Sequence, residues 1–150
     1  MRAGELCTRE VYLARREDPL AAAAREMRRR HIGALVVVEA SGKAVRPIGI
    51  LTDRDIVCGQ LAKSADLFCL NVGEVMSIDP TTVDEDDDLA ETIKRLAVAG
   101  VRRAPVVNSG GDLVGILSLD DLLPAVAQEL GALAALIGTQ SRVEQKGVRT

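Results

Sequence analysis

Seven residues occur twice in this chain in nearly the same form. Gly49-Ile50-Leu51-Thr52-Asp53-Arg54-Asp55 and Gly115-Ile116-Leu117-Ser118-Leu119-Asp120-Asp121 both read G-I-L-[ST]-x-x-D. Each closes an apolar run and opens a new segment. Two copies within 150 residues constrain the fold to a pair of like units, because self-similarity at a fixed spacing marks a repeated supersecondary element.

The repetition extends upstream of the motif. A shift of 69 residues pairs Gly4-Glu5-Leu6 with Gly73-Glu74-Val75, Leu20-Ala21 with Leu89-Ala90, and Val37-Val38 with Val106-Val107. The motifs themselves lie 66 residues apart, so the first copy carries three extra residues, placed most easily in the turn around Ser41 to Pro47. Both halves follow one pattern. A short extended piece (Val11 to Ala14; Thr81 to Val83) precedes a helix whose apolar positions are Leu20, Ala23, Ala24 and Met27, or Leu89, Thr92, Ile93, Leu96 and Ala97. That three-four spacing defines one buried helical face. Asp18-Pro19 is the expected cap and first turn of the first helix, and Gly100 the expected stop of the second.

Two strands around a turn follow in each half. The first half has Ala34 to Val38, Ser41-Gly42 and Val45 to Leu51; the second has Ala104 to Val107, Asn108 to Gly111 and Leu113 to Leu117. β-Branched runs separated by Gly-rich turns are hairpin signals. Thr52 and Ser118 then cap the next helices. Each unit reads β-α-β-β-α, which makes the fold class α/β (α+β).

With one Tyr, one Phe and no Trp, the core is built from aliphatic side chains. The same scarcity removes the stacking platforms of a single-strand nucleic-acid binder. A net charge of −3 also argues against binding phosphate backbones, so no nucleic-acid partner is expected. Cys7, Cys58 and Cys69 form no CxxC pair and are read as thiols in a reducing compartment. No signal-peptide core and no uncharged span of membrane length is present, so a cytoplasmic protein without membrane contact is expected.

The motif has two readings. Thr52 with Asp55, or Ser118 with Asp121, offers a hydroxyl and a carboxylate that together suit ribose hydroxyls. At a helix start the free N–H groups add an anion site. The same [ST]-x-x-D pair caps a helix with no ligand at all. The two roles are compatible, and duplication with Gly49 and Gly115 beside the pair favours a ligand. Ile50 and Ile116 would wall an apolar ring, or serve simply as strand core.

A repeated β-α-β-β-α unit ending in this motif, together with Gly73-Glu74-Val75-Met76-Ser77 and Arg103-Ala104-Pro105-Val106-Val107, resembles a tandem pair of cystathionine-β-synthase (CBS) domains, the Bateman module. The resemblance covers roughly Gly4 to Leu123. It implies two repeats packed sheet to sheet about a pseudo-two-fold axis, with a cleft for each motif. It implies regulatory binding of an adenosine-containing ligand (AMP, ADP, ATP, NAD or S-adenosylmethionine), with no catalytic cofactor. It also implies backbone recognition of adenine near Ala14 and Val83, a homodimer formed through the CBS helices, and an effector protein that the sequence does not identify. The expected divisions are 1–68 for the first repeat with its connecting helix, 69–124 for the second, and 125–150 for a C-terminal helix with a frayed tail.

The two clefts should differ at the phosphate end. Val101-Arg102-Arg103-Ala104 places two guanidinium groups where the first repeat has Ile32-Gly33-Ala34-Leu35. Arg54 lies inside the first motif, and arginine's forked donors suit phosphate. These residues are equally compatible with solvated surface. His31 aligns with Gly100 and is read as a left-handed helix terminator rather than a catalyst or metal ligand. Asp84 to Asp88 is read as the solvated start of a helix, not a metal loop. Leu122, Leu123, Val126, Leu130, Leu133 and Ile137 continue an apolar helical stripe, with Pro124 inside it and a polar run after Gly138. No nucleophile-base pair or metal set is visible, so an enzyme is not expected. A ligand-free interaction module is the alternative to a nucleotide sensor.

Overall fold

The computed structural model describes residues 1–63 and 66–147. In chain order the elements are α1 (Ala3–Leu6), β1 (Leu13–Ala14), α2 (Leu20–Arg30), β2 (Ala34–Ser41) and β3 (Ala44–Thr52), then α3 (Val72–Val75), β4 (Ser77–Ile78), β5 (Val83–Asp84), α4 (Leu89–Ala99), β6 (Arg103–Val107), β7 (Leu113–Ser118) and α5 (Leu119–Gly147). The helix expected after Thr52 forms as a π-helical turn, Asp55–Gln60, followed by 3-10 turns at Leu61–Lys63 and Leu67–Cys69.

Two sheets result, ordered β1-β2-β3-β4 and β5-β6-β7. In each, a short strand lies parallel to the first hairpin arm, with Leu13 opposite Val36 and Val83 opposite Val106. The hairpins share one irregularity. Val37 pairs Gly49 while Val38 pairs Pro47, and Val106 pairs Gly115 while Val107 pairs Leu113. Ile48 and Val114 are thus the bulged residues, each immediately before a motif glycine, where a bulge re-aims the strand. The three extra residues of the first copy lengthen its hairpin to a two-residue turn at Gly42, whose φ of 63° suits glycine.

The apolar faces gather into two cores. Leu20, Ala23 and Met27 of α2 pack on Leu35, Val37 and Leu51; Leu96 of α4 packs on Ala104, Val106 and Leu117. Burying each such leucine contributes ~1.5–3 kcal/mol. The units are interlocked, because Ala3 of α1 belongs to the second core and Val72 and Val75 of α3 to the first. Matching bonds hold both crossings. Gly4 N donates to Glu85 O and Gly73 N to Arg16 O, each at 2.9 Å; Ala3 N donates to Asp87 O at 2.8 Å and Val72 N to Asp18 O at 2.9 Å. Val36 and its counterpart Pro105 point away from their own clusters yet are fully buried. Both sheets are therefore covered on both faces, and β3 and β7 touch where the repeats meet. Two β-α-β-β-α repeats form, as the sequence predicts, and they are related by a pseudo-two-fold axis, as the family resemblance implies.

Two local expectations resolve differently. Asp18 does not cap α2: its Oδ2 accepts from Arg15 N at 2.7 Å, Pro19 takes the N-cap position, and Leu20 N donates to Leu70 O at 2.9 Å. The carboxylate stabilises the preceding turn, while Leu70, just before α3, supplies the helix's first acceptor. Ile93 and Ala97, expected in the core, are exposed. His31 ends α2 at φ 55° and Gly100 ends α4 at φ 67°, both left-handed, as the alignment predicts. The acidic run starts α4: Asp88 Oδ1 accepts from Glu91 N at 2.8 Å, and Asp87 pairs with Arg95 at 3.2 Å.

Candidate functional site

The first motif ends β3 and begins the π-helical turn. Thr52 N and Thr52 Oγ1 both donate to Asp55 Oδ2, at 2.9 and 2.7 Å, and Asp55 N donates back to Thr52 Oγ1 at 3.1 Å. This closed loop is a capping box. It leaves Asp55 Oδ1 without a bond from any described residue. The hydroxyl proton of Thr52 is engaged, so toward a ligand Thr52 only accepts. A ribose offers hydroxyl donors, which suits both groups. The second motif repeats the chemistry, with Ser118 N and Oγ donating to Asp121 Oδ2 at 2.7 and 2.6 Å.

A cleft of about 860 Å³ lies against the first motif. Ile50, Thr52, Arg54 and Asp55 enter it from β3 and the start of the π-helical turn, Arg102 from the loop after α4 and Arg103 from the start of β6. Among the described residues none of these three guanidinium groups forms an ion pair. The arginines of the second repeat therefore face the hydroxyl-carboxylate pair of the first, across the junction between repeats. Asp53 and Asp79 add carboxylates to the same wall.

The other predicted residues lie elsewhere. Ile116 and Ser118, on β7, and Asp121, in the first turn of α5, are outside this cleft, and Ile116 pairs with Thr8. Ala14 and Val83 are buried in the two cores with their backbones in parallel pairing. Gly49 and Gly115 answer to packing. A Cβ on Gly49 would lie 2.7 Å from Met76 Sδ and 2.8 Å from Ser77 O; one on Gly115 would lie 2.5 Å from Cys7 Sγ and 2.9 Å from Thr8 O. The motif glycine admits the crossing segment of the other repeat. Ser77 to Thr81 also line the cleft; from the sequence Ser77 is read only as family sequence and Thr81 only as the start of an extended piece, neither as part of the site. Their signal was the strand β4 at Ser77–Ile78, too short to read, which lies antiparallel to Gly49 and Ile50.

Two groups away from the cleft have shifted ionisation. Burial raises the Cys7 thiol above its ordinary range, with Arg9 partly opposing. Hydrogen bonds from Arg29 and Arg30 hold the half-buried Glu26 carboxyl low. Among the described residues no cluster of three His, Cys, Asp or Glu is placed to hold a metal ion. No helix among them is long and apolar enough to cross a membrane.

Two copies of the CBS domain family model match residues 3–59 and 72–128, so the chain belongs to the CBS-domain family, as a tandem pair. An uncharacterized protein of Methanopyrus kandleri is 32% identical over 120 residues, covering 80% of this chain and 60% of that protein. Hypoxic response protein 1 of Mycobacterium tuberculosis is 36% identical over 122 residues, covering 81% and 78%. Among solved structures, a CBS domain protein of Pyrobaculum aerophilum complexed with AMP superposes with a TM-score of 0.75 at 26% identity, covering 88% of this chain and 99% of that one. This chain is a regulatory tandem CBS module.

Proposed function

We propose that this module senses an adenosine-containing ligand in the cleft between its repeats. AMP, ADP, ATP, NAD and S-adenosylmethionine are the candidate compounds. The observation that carries the reading is the meeting of Thr52 and Asp55 from one repeat with Arg102 and Arg103 from the other in a single cleft. Asp55 Oδ1 takes the ribose hydroxyls, Ile50 walls the base, and the arginines take phosphate. The similarity to an AMP-complexed relative supports this assignment. A ligand held from both sides binds one inter-repeat arrangement better than another and so shifts their equilibrium. A homodimer formed through the CBS helices, working in the cytoplasm, would pass that shift to an effector protein. Inosine-5'-monophosphate dehydrogenase of Thermoplasma acidophilum matches over 21% of its length at 32% identity, which fits a module whose output is a partner's activity.

The second reading, a ligand-free interaction module, draws on the closed capping box, which satisfies Thr52 without a ligand. Asp55→Asn separates the two. Its amide oxygen keeps the cap bonds, while its NH2 replaces the free acceptor that faces ribose. Calorimetric titration of the wild type with AMP, ATP and NAD should show binding, and the variant should lose at least tenfold in affinity with an unchanged unfolding midpoint. Absence of binding to the wild type overturns the sensor reading.

A further inference from the structure

Two charged groups of the cleft are left over by a grip on ribose and phosphate. Its lining carries three arginines, Arg54, Arg102 and Arg103, and three aspartates, Asp53, Asp55 and Asp79. Asp55 is accounted for by the ribose. Asp53 and Asp79 are exposed, and among the described residues neither forms an ion pair with the arginines that share the cleft. A carboxylate beside a phosphate site repels the ligand, so both groups act against the arginines.

Local structure sets both carboxylates in place. Asp53 N donates to Gly33 O at 3.1 Å, and the equivalent bond of the second repeat runs from Leu119 N to Arg102 O at 2.9 Å. Where the second repeat has an arginine and a leucine, the first has a glycine and an aspartate. A Cβ on Gly33 would lie 3.0 Å from Asp53 Oδ2, so the missing side chain admits the carboxylate. Asp53 Oδ1 accepts from Arg54 N at 2.8 Å, which holds it beside a phosphate-binding candidate. Asp79 follows β4 at φ 49°, a left-handed conformation that aspartate tolerates. Its counterpart at a shift of 69 residues, Glu10, is engaged instead by the Tyr12 hydroxyl at 3.1 Å.

With as many aspartates as arginines, the lining is neutral before a ligand enters. The phosphate of AMP adds roughly two negative charges, and each further phosphate is then repelled rather than attracted. We propose that Asp53 and Asp79 are specificity-determining residues that cap the charge of the ligand, so that the cleft takes an adenosine monophosphate in preference to the triphosphate. This preference rests on nucleotide sensing in the same cleft and narrows the ligand class.

Calorimetric titration of the full chain with adenosine, AMP and ATP, in EDTA and again with magnesium, tests it on Asp53→Asn/Asp79→Asn. Asparagine keeps the shape of both side chains and also tolerates the left-handed backbone. The wild type should bind ATP no more tightly than AMP. At the ~8 Å separations within such a cleft, screened by salt, each removed charge should favour ATP over AMP by roughly two- to fivefold, and the double variant by about fourfold or more. Adenosine affinity should not change. Glu39→Gln, which removes a charge from the exposed end of β2 outside the cleft, should leave the ATP-to-AMP ratio alone. An unchanged ratio in the double variant, with AMP still bound, overturns this preference and spares the sensor assignment, whereas a wild type that binds no AMP overturns both. A loss of ATP affinity in the double variant that appears only with magnesium also overturns it, because the carboxylates would then be cation ligands.

Discussion

Replacing Gly49 with alanine puts a methyl group 2.7 Å from Met76 Sδ and 2.8 Å from Ser77 O. The sulfur can turn aside, but Ser77 pairs with Ile50, so its carbonyl belongs to the β3-β4 ladder and cannot. Overpacking of this kind costs ~1–3 kcal/mol. Alanine's smaller loss of backbone freedom on folding offsets roughly 0.5–1 kcal/mol of that. The net loss is about 1–2 kcal/mol, which lowers the Tm of a chain this size by roughly 2–8 °C. Gly59→Ala is the control, since nothing lies within 4 Å of a Cβ there. Urea unfolding followed by circular dichroism gives both values. Gly49→Ala should lower the midpoint while Gly59→Ala leaves it or raises it. A Gly49→Ala protein as stable as wild type would refute the view that this glycine exists to admit the crossing strand.

Two further outcomes follow from local geometry. His31→Gly removes a side chain from a left-handed helix terminus and should raise stability by about 0.5–1 kcal/mol in the same unfolding assay, whereas Gly100→Ala at the matching site should lower it. Thiol modification at pH 8 should label the exposed Cys58 first. Cys69, raised by its hydrogen bond to Asp66, and Cys7, raised by burial, should lag, because each stays a neutral thiol to higher pH and only the thiolate reacts.

Sequence periodicity carries local structure well, and each hairpin, both long repeat helices and the left-handed His31 follow from it. It carries contacts between distant segments poorly. Nothing in Gly4 or Gly73 announces that the segment it begins will cross to the other repeat, because that choice rests on pairing with Glu85 and Arg16 backbone. The same blindness explains the site. Thr52 and Asp55 are legible as a local pair, and Arg102 and Arg103 as a basic step, but only the crossing brings them into one cleft. It also explains why Ser77 to Thr81 are not assigned to the site from the sequence: they reach the cleft wall only because β4 pairs with Gly49 and Ile50 of the other repeat.

The central claim is that one ligand is gripped by both repeats, ribose on the first and phosphate on the second. Calorimetric titration of an Arg102→Ala/Arg103→Ala variant with AMP and with adenosine tests it most directly. Each lost charge-assisted contact is worth ~1.5–3 kcal/mol, so AMP affinity should fall at least tenfold while adenosine affinity stays near the wild-type value. Equal losses for the two ligands, or none for either, would contradict the account.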